Sequence, residues 1–214
     1  MQPGEIYDVL SEAYGPQEWW PAKRNFRPKD WEVVVGAVLT QNVNWNNVEK
    51  ALDNMAMKRI TDHRSMLKMN IAALKKLIRP AGFYNQKAER LKAVAELVEA
   101  HGGFRNFTGI TRKELLATKG IGPETADAIL SYACGRPSFV VDLYTRRLLS
   151  RLGLVQGNES YETIKSSMES CVNPGLYNEF HALIVEHSKR FCRKLPRCAG
   201  CPLQKRCLSG DASD

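Results

Sequence analysis

The chain has 214 residues and a formal net charge of +8, from 31 lysines and arginines against 23 acidic residues. Its hydrophobic content of 43% is enough for a sizeable core, in one large domain or two small ones. No apolar run approaches membrane-spanning length and the first residues are not a signal peptide, so we expect an intracellular protein with no membrane partner. The basic charge favours a nucleic-acid partner, although solvated lysines alone would give the same sum.

The first predicted elements are a short helix around residues 6–14 and an aromatic pair, Trp19 and Trp20, that precedes Pro21. Two adjacent tryptophans form either a hydrophobic anchor for the N-terminal arm or the aromatic wall of a ligand pocket. Asp30 is a candidate N-cap of the next helix. The apolar residues of that helix recur at helical spacing: Trp31, Val34, Val35, Val38 and Leu39.

A polar loop at residues 40–45 links this helix to another one. Loops between helices are common places for function, and Gln41 is either a functional amide or an ordinary surface residue. Residues 60–78 predict a connecting segment and one helix. Gly82 and Asn85 are expected to form a turn before the helix that follows.

A helix, a glycine turn and a second helix are predicted in the middle of the chain. Thr111 and Glu114 have capping-box spacing, so a short helix begins there. Gly120 and Gly122 interrupt it, since glycine accepts positive φ and lets another backbone approach closely. Pro123 suits the first position of the next helix. The amides of such a turn favour an anion such as a nucleic-acid phosphate, and the plain alternative is a helical corner without a ligand.

Asp142 precedes a helix predicted over residues 143–152, and its plain interpretation is an N-cap. Two more helices are expected around residues 164–168 and 176–187, and residues 209–214 are expected to be disordered. No segment has a convincing strand pattern. The predicted fold class is therefore all-α, with roughly ten helices.

Four cysteines near the C-terminus are separated by five, two and five residues: Cys192, Cys198, Cys201 and Cys207. Thiolates this close in an intracellular protein indicate a metal site. Zinc prefers two Cys-x2-Cys pairs and only one is present here, whereas iron–sulfur clusters also take four cysteines. Cys134 and Cys171 lie outside the pattern and are expected to be small buried residues.

Basic residues crowd the same segment: Lys189, Arg190, Arg193, Lys194, Arg197, Lys205 and Arg206. Such a patch can be purely solubilising. Beside a phosphate-binding turn, contact with DNA phosphates is the stronger interpretation, and it predicts salt-dependent binding.

The run KGIGPETADAILSYACGRPSFVVD, residues 119–142, closely resembles the helix-hairpin-helix, Gly/Pro-rich loop and aspartate of the endonuclease III-like DNA glycosylases. The turn GFYNQKA at residues 82–88 and the cysteine order also resemble that family, so the likeness covers most of the chain. It implies a two-lobed all-α fold in which residues 27–139 form a helical domain with the hairpin. The second domain would join residues 1–26 to residues 140–214 and carry the iron–sulfur cluster loop.

The cysteine order is similar to the family's [4Fe-4S] ligand pattern, with one residue fewer between the first two cysteines. The resemblance implies such a cluster in a structural role, with zinc as the alternative. It also implies that the hairpin contacts DNA, through Lys119, Gly120, Gly122 and Thr125. Gln41 stands where the family has a glutamine that fills the hole left by a flipped base.

Asp142 matches the family's catalytic aspartate. A glycosylase must flip its base out of the duplex, and one carboxylate is enough to stabilise the oxocarbenium-like sugar and orient water. Members that also cut the strand use a lysine two residues after the second hairpin glycine. That position holds Glu124 here, and Lys119 lies on the other side of the turn, so we expect a monofunctional glycosylase.

Four segments together resemble the bacterial 3-methyladenine DNA glycosylases of the same superfamily: WWP, GAVLTQN with the nearby Trp45, PAGFYNQKA, and GIGPETADAIL. That resemblance makes Trp19, Trp20 and Trp45 candidates for an aromatic sandwich around the damaged base. Alkylated purines are cations, which an electron-rich indole attracts, and Glu124 would add negative charge. The best-known members of that group lack the cluster cysteines.

We therefore expect a monomeric, cytoplasmic, nucleoid-associated enzyme that acts on damaged double-stranded DNA and releases an alkylated purine such as 3-methyladenine. Three alternatives stay open. The first is a monofunctional glycosylase that acts on uracil, on a mismatched base or on an oxidised base. The second is an endonuclease III-type glycosylase and lyase for oxidised pyrimidines. The third is a non-catalytic DNA-binding relative.

Overall fold

The computed structural model describes residues 2–20 and 22–208. Within this part of the chain all regular structure is helical, as the sequence predicts, and no strand is present. Pro21 and the tail predicted to be disordered lie outside the described residues. No helix of the described chain combines the length and the apolar content needed to cross a membrane.

The described residues form twelve α-helices: α1 (Pro3–Tyr14), α2 (Lys29–Leu39), α3 (Trp45–Met57), α4 (His63–Lys68), α5 (Ile71–Leu77), α6 (Tyr84–Ala100), α7 (Phe104–Phe107), α8 (Arg112–Ala117), α9 (Pro123–Ala128), α10 (Leu143–Arg151), α11 (Tyr161–Cys171) and α12 (Tyr177–Arg190). A π-helical segment, Ile129–Ala133, continues α9, and three short 3-10 turns lie at Arg79–Ala81, Pro174–Leu176 and Gln204–Arg206. Residues 60–78, predicted as a connecting segment and one helix, contain two helices, α4 and α5. The Asn70 side chain caps α5 by accepting from the Ala72 N–H.

Side-chain caps mark the start of several helices. Thr111 and Glu114 form the predicted capping box at the start of α8, with both hydrogen bonds present. The prediction that Asp30 caps α2 is wrong, because the helix begins after Pro28 and Asp30 lies in its first turn. The carboxylate there still favours the helix dipole. Asn85 lies inside α6 and not in the turn before it.

The chain divides into two compact units. The first joins Met1–Trp19 to Pro137–Asp214, and the second is Trp20–Arg136. The domain division expected from the sequence, with boundaries after residues 26 and 139, stays a prediction.

In the first unit, α1, α10, α11 and α12 enclose one hydrophobic core. The rings of Tyr7 and Phe139 meet Phe180 edge-on, with centroids 5.7 and 5.9 Å apart. Buried aliphatic side chains complete this core: Ile6, Leu10, Leu148, Leu149, Ile164, Met168, Leu183 and Ile184. This packing holds α10, whose N-cap is Asp142.

In the second unit, α2 is buried along most of its length. The sequence pattern predicts one apolar face, but Val33, Val35 and Ala37 on the other side are buried as well. A helix that is apolar all round is a core helix. It packs against α3, α6, α9 and the π-helical segment, so the loop that carries Gln41 leaves from a rigid element.

Lys87 on α6 is fully buried in the second unit. Its ammonium donates to the Leu39 carbonyl at 2.8 Å and to the Ala81 carbonyl at 2.7 Å. It thereby joins the end of α2 to the turn that precedes α6. Burial lowers the pKa of Lys87 to about 8, and the nearby Arg90 charge adds to this effect.

A Lys87→Met variant should unfold with a free energy about 2 kcal/mol below the wild type at pH 7, because two buried carbonyls lose their donor. The folded wild type binds fewer protons than its unfolded chain does between about pH 8 and pH 10.5. The wild type should therefore gain stability relative to the variant as pH rises through this range. Urea unfolding at pH 7 and pH 9.5 measures both effects. A variant as stable as the wild type at both values would contradict the assigned role.

Candidate active site

Asp142 is the N-cap of α10, as the sequence predicts. One carboxylate oxygen accepts from the Thr145 N–H at 2.8 Å, and the other lies 3.4 Å from Nε2 of His181. The Asp142 side chain is 15% exposed. The carboxylate is thus largely shielded from water.

Burial by itself would raise the pKa of Asp142. The His181 imidazole and the Thr145 N–H stabilise the charged form more strongly, so the pKa of Asp142 lies below its ordinary value. Asp142 is therefore an ionised carboxylate at neutral pH. Sequence reasoning missed His181, whose only signal is a histidine placed at helical spacing from Tyr177 and Ile184 on the buried face of α12.

Trp19 lies in the same unit as Asp142. Its ring centroid is 5.6 Å from that of His181, and Nζ of Lys189 lies 5.8 Å from the Trp19 ring centre. Trp19 thus contacts the histidine that holds the carboxylate. The contact is compatible with both sequence interpretations, an anchor and a pocket wall.

Trp20 and Trp45 lie in the second unit and form an aromatic group with Tyr132. The Trp20 ring meets Trp45 at 5.1 Å and Tyr132 at 5.6 Å, with interplanar angles of 78° and 61°. Trp20 also lies directly over Gly36, where an added Cβ would be 3.1 Å from the indole. Sequence reasoning missed Tyr132, because the π-helical segment that presents it leaves no sequence signature.

The two tryptophan rings of this group meet edge to face, not as parallel plates. A base held between two rings needs about 7 Å between the ring planes, twice the contact distance of roughly 3.5 Å. The sequence predicts a sandwich between Trp45 and either Trp19 or Trp20, and a sandwich between Trp20 and Trp45 requires at least one ring to turn. Their role stays a prediction.

The glycine turn lies between α8 and α9. Gly120 has a φ of +82°, which only glycine adopts without strain, whereas Gly122 is extended and has open space around it. Lys119 is 89% exposed and lies 3.9 Å from the Glu89 carboxylate. Glu124, proposed as a site residue, is exposed in the first turn of α9.

An ion pair between Arg112 and Asp127 fastens the two hairpin helices together. The guanidinium donates to both carboxylate oxygens, at 2.8 and 3.0 Å, and Asp127 is fully buried. Such bidentate pairs are strong and geometrically specific. The hairpin is consequently a rigid element of the second unit.

Gln41 is hydrogen-bonded to this hairpin. Its Nε2 donates to the Gly120 carbonyl at 3.2 Å and to the Thr125 hydroxyl at 2.8 Å. Its Oε1 accepts from the Arg90 guanidinium. Gln41 and Thr125, both DNA-binding candidates, are thus brought together, and Arg90 is a partner that sequence reasoning missed.

Phe83, before α6, is a further residue that sequence reasoning missed. Its side chain is 62% exposed and its φ is +44°. An exposed apolar ring on a backbone that disfavours any residue except glycine is a signal for function. That signal is visible only in the structure.

The four C-terminal cysteines line one cavity, together with His187 and Phe191. All six cysteines of the chain are thiols without disulfides. Burial raises the pKa of the Cys201 thiol, and the charges of the other three cysteines in the cavity add to the shift. Four cysteines are the residue types that an iron–sulfur cluster takes as ligands. Among the described residues, no three His, Cys, Asp or Glu side chains are grouped as for a metal ion.

Two arginines of α10 hold the segment that carries the four cysteines, residues 192–207, which we call the cysteine loop. Arg147 donates to the Cys192 carbonyl at 2.7 Å. Arg151 donates to the carbonyls of Arg193 and Lys194, at 2.7 and 3.0 Å, and to the Cys192 sulfur at 3.2 Å. The Arg193 and Lys194 side chains are left exposed, where they can meet an anionic partner.

The remaining two cysteines correct a prediction. Cys134 is only partly buried, and Cys171 is exposed at the end of α11. The expectation of two small buried residues is wrong for Cys171, because the last turn of α11 turns that side chain toward solvent.

Comparison with known proteins identifies the family to which this chain belongs. Residues 35–174 match the model of the HhH-GPD superfamily of base excision DNA repair proteins. A Methanocaldococcus jannaschii protein provisionally named a DNA repair glycosylase is 48% identical, over 96% of this chain and 95% of its own length. An endonuclease III of Thermotoga maritima is 30% identical over 86% of this chain and 85% of its own.

A solved structure of another DNA glycosylase is also similar to this chain. The H. pylori 3-methyladenine DNA glycosylase MagIII, determined with 1,N6-ethenoadenine bound, is similar at a TM-score of 0.79 and 32% identity. The match covers 89% of this chain and 98% of MagIII. The chain therefore belongs to the HhH-GPD superfamily of base excision DNA repair glycosylases.

Proposed function

We propose that this protein flips a damaged base out of double-stranded DNA and hydrolyses its glycosidic bond, with an alkylated purine such as 3-methyladenine as substrate. It leaves the abasic strand uncut. The observation that carries the proposal is the ionised carboxylate of Asp142, held between the Thr145 N–H and His181. Family membership supports the reaction class, and the site residues support the proposed substrate and the absence of strand cleavage.

Asp142 acts on the sugar. As the base leaves, positive charge develops on the deoxyribose, and a nearby carboxylate stabilises that charge and orients the attacking water. A carboxylate with a lowered pKa keeps its charge at neutral pH. Because Thr145 and His181 fix its two oxygens, little reorganisation is needed during the reaction.

The aromatic group supports an alkylated purine. Methylation at N3 or N7 makes a purine cationic, so the bond breaks easily and the base attracts indole faces. Trp20, Trp45 and Tyr132 offer three aromatic rings, with the Trp45 and Tyr132 centroids 5.1 and 5.6 Å from that of Trp20. MagIII is a 3-methyladenine glycosylase whose solved structure holds an etheno-purine, and that precedent favours the same substrate class here.

The proposed absence of strand cleavage rests on one side chain. Cleavage by the lyase route needs an amine that forms an imine with C1′. Glu124 occupies the hairpin position where that lysine is expected, and a carboxylate cannot form an imine. Glu124 instead adds negative charge beside a cationic substrate.

DNA contacts are proposed for the hairpin, the cysteine loop and the turn before α6. Gly122 leaves open space for a phosphate, and Arg193 and Lys194 supply exposed charge. Phe83 provides an apolar wedge that inserts between base steps. Gln41 fills the space left by the flipped base.

The cysteine cavity suits a [4Fe-4S] cluster held by Cys192, Cys198, Cys201 and Cys207. Four thiols around one cavity fit that donor set, and Arg151 already donates to the Cys192 sulfur, as partners of cluster sulfurs do. When bound, the cluster would supply structural cross-linking of the basic loop. Zinc is the alternative occupant.

The proposal is tested by incubating purified protein with duplexes carrying 3-methyladenine, 7-methylguanine, uracil or thymine glycol. We expect release of the methylated purines, with strand breaks only after alkali. Release of uracil alone would reassign the substrate. Breaks in thymine glycol DNA without alkali would overturn the monofunctional mechanism. We also propose a monomer, which solution scattering tests directly.

Trp45→Ala should lower kcat/KM for 3-methyladenine release by roughly 10- to 100-fold, the value of one base–aromatic stack. Trp45→Phe is the matched control, because it keeps a ring that can turn to the same place. Affinity for undamaged duplex should be the same in all three proteins. Equal rates for the alanine variant and the wild type would show that Trp45 does not stack on the base.

A further inference from the structure

We propose that Arg90 is a DNA contact that also controls the position of Gln41. Its guanidinium holds Gln41 on the hairpin, and a phosphate that binds beside the hairpin takes the guanidinium over and releases the amide. The inference rests on the proposed function, in which Gln41 enters the duplex. It couples hairpin engagement to the insertion of Gln41.

The Gln41 amide is fully engaged with the protein. It spends its two N–H donors on the Gly120 carbonyl and the Thr125 hydroxyl. Arginine is a donor only, so the amide oxygen must face Arg90, and this fixes the orientation of the group. An amide held in this way cannot fill a gap in a duplex until those contacts are broken.

Arg90 lies at the surface where DNA is expected. Its side chain crosses Gly120 so closely that a Cβ at that glycine would overlap it. A groove beside the turn is lined by Gln86, Glu89, Arg90, Ala93, Lys119 and Gly120. Two cations against one carboxylate make this groove attractive to a phosphate.

A phosphate and Gln41 compete for the same guanidinium. Among the described residues, Arg90 donates to Gln41 and, at a long 3.4 Å, to Gln86. Charge-assisted contacts from arginine to phosphate are stronger than contacts to a neutral amide. A phosphate in the groove should therefore displace the Gln41 oxygen, and the amide then loses the contact that orients it.

The experiment measures the affinity of the full chain for two duplexes, one undamaged and one with a stable abasic-site analogue. Gln41→Ala should tighten binding to undamaged DNA about three- to tenfold, because it removes the competitor for Arg90. The same variant should weaken binding to the abasic duplex, where Gln41 fills the gap. A merely structural role for Gln41 would change both affinities in the same direction.

A second variant, Arg90→Met, removes the other partner of the contact between Arg90 and Gln41. This variant should make the negative slope of log affinity against log salt shallower by about one, because one phosphate contact is lost. In the Arg90→Met background, Gln41→Ala should no longer tighten binding to undamaged DNA. Arg105→Met, which removes an exposed charge from the same unit, is the control for net charge. If Arg90→Met does not fold, the opposite signs for Gln41→Ala on the two duplexes still decide the matter.

Weaker binding of Gln41→Ala to undamaged DNA, or an unchanged salt slope in Arg90→Met, would overturn the inference. These assays need no base release. A wild type that binds as described but releases no base would contradict the proposed function and leave the role of Arg90 intact.

Discussion

Asp142→Asn should lower the rate of 3-methyladenine release by about a thousandfold or more, since it removes the charge that we propose supports the cationic sugar. Asparagine is nearly isosteric and is as good an N-cap as aspartate. Its side-chain oxygen can still accept from the Thr145 N–H, so α10 and the fold should survive. Single-turnover base release measures the effect. The variant should keep wild-type affinity for DNA that carries an abasic-site analogue.

A rate within tenfold of the wild type would show that Asp142 is only a cap. Loss of DNA affinity together with the rate would indicate damage to the fold, and a thermal melt separates that case. A non-catalytic relative predicts no base release from either protein. The three outcomes are distinct.

The lowered pKa of Asp142 has a consequence for stability. A carboxyl group whose folded pKa lies below its unfolded pKa stabilises the fold above the unfolded value, and this contribution is lost as pH falls through the folded value. Wild type should thus lose stability relative to Asp142→Asn on acidification below the ordinary aspartate range. Urea unfolding from pH 6 downward, with both proteins in parallel, measures the difference.

Cys201→Ser should reduce bound iron from about four atoms per chain to less than one, because it removes one of the four proposed cluster ligands that line the cavity. The thermal midpoint should fall by about 5 °C or more, since metal binding is part of the folding free energy of such a loop. Affinity for duplex DNA should fall as the exposed charges of Arg193 and Lys194 lose their fixed position. Iron and acid-labile sulfide analysis, a thermal melt and DNA titration measure the three effects.

Cys171→Ser is the matched control, because Cys171 is exposed and lies outside the cavity. It should leave iron content and the melting temperature unchanged. Zinc in place of iron in the wild type would select the alternative occupant. A wild type that binds neither metal would remove the cofactor from the proposal.

Some features are predictable because they depend on neighbours in the chain. The capping box of Thr111 and Glu114 and the N-cap at Asp142 are contacts over three residues, and both are confirmed. The helix start predicted at Asp30 is wrong by two residues, since Pro28 before it can also begin a helix. Residues 60–78 are predicted as a connecting segment and one helix but contain two short helices, because Asp62 and Asn70 each cap a new start.

The candidate base pocket is less predictable. The sequence indicates Trp20 and Trp45 as candidates, but nothing in it states the angle at which two rings meet. The structure places them edge to face and adds Tyr132, because Gly36 on the buried α2 leaves room for the Trp20 ring. Ring orientation is set by packing against distant segments, which no local pattern encodes.

The sequence by itself determined the all-helical fold, the hairpin, the aspartate at the start of α10 and the spacing of the four cysteines. All of these rest on short-range periodicity, on capping or on residue type. Only the tertiary structure decided that His181 holds Asp142 and that Arg90 holds Gln41. These partners are 39 and 49 residues apart in the chain, so their pairing follows from how buried helices pack together.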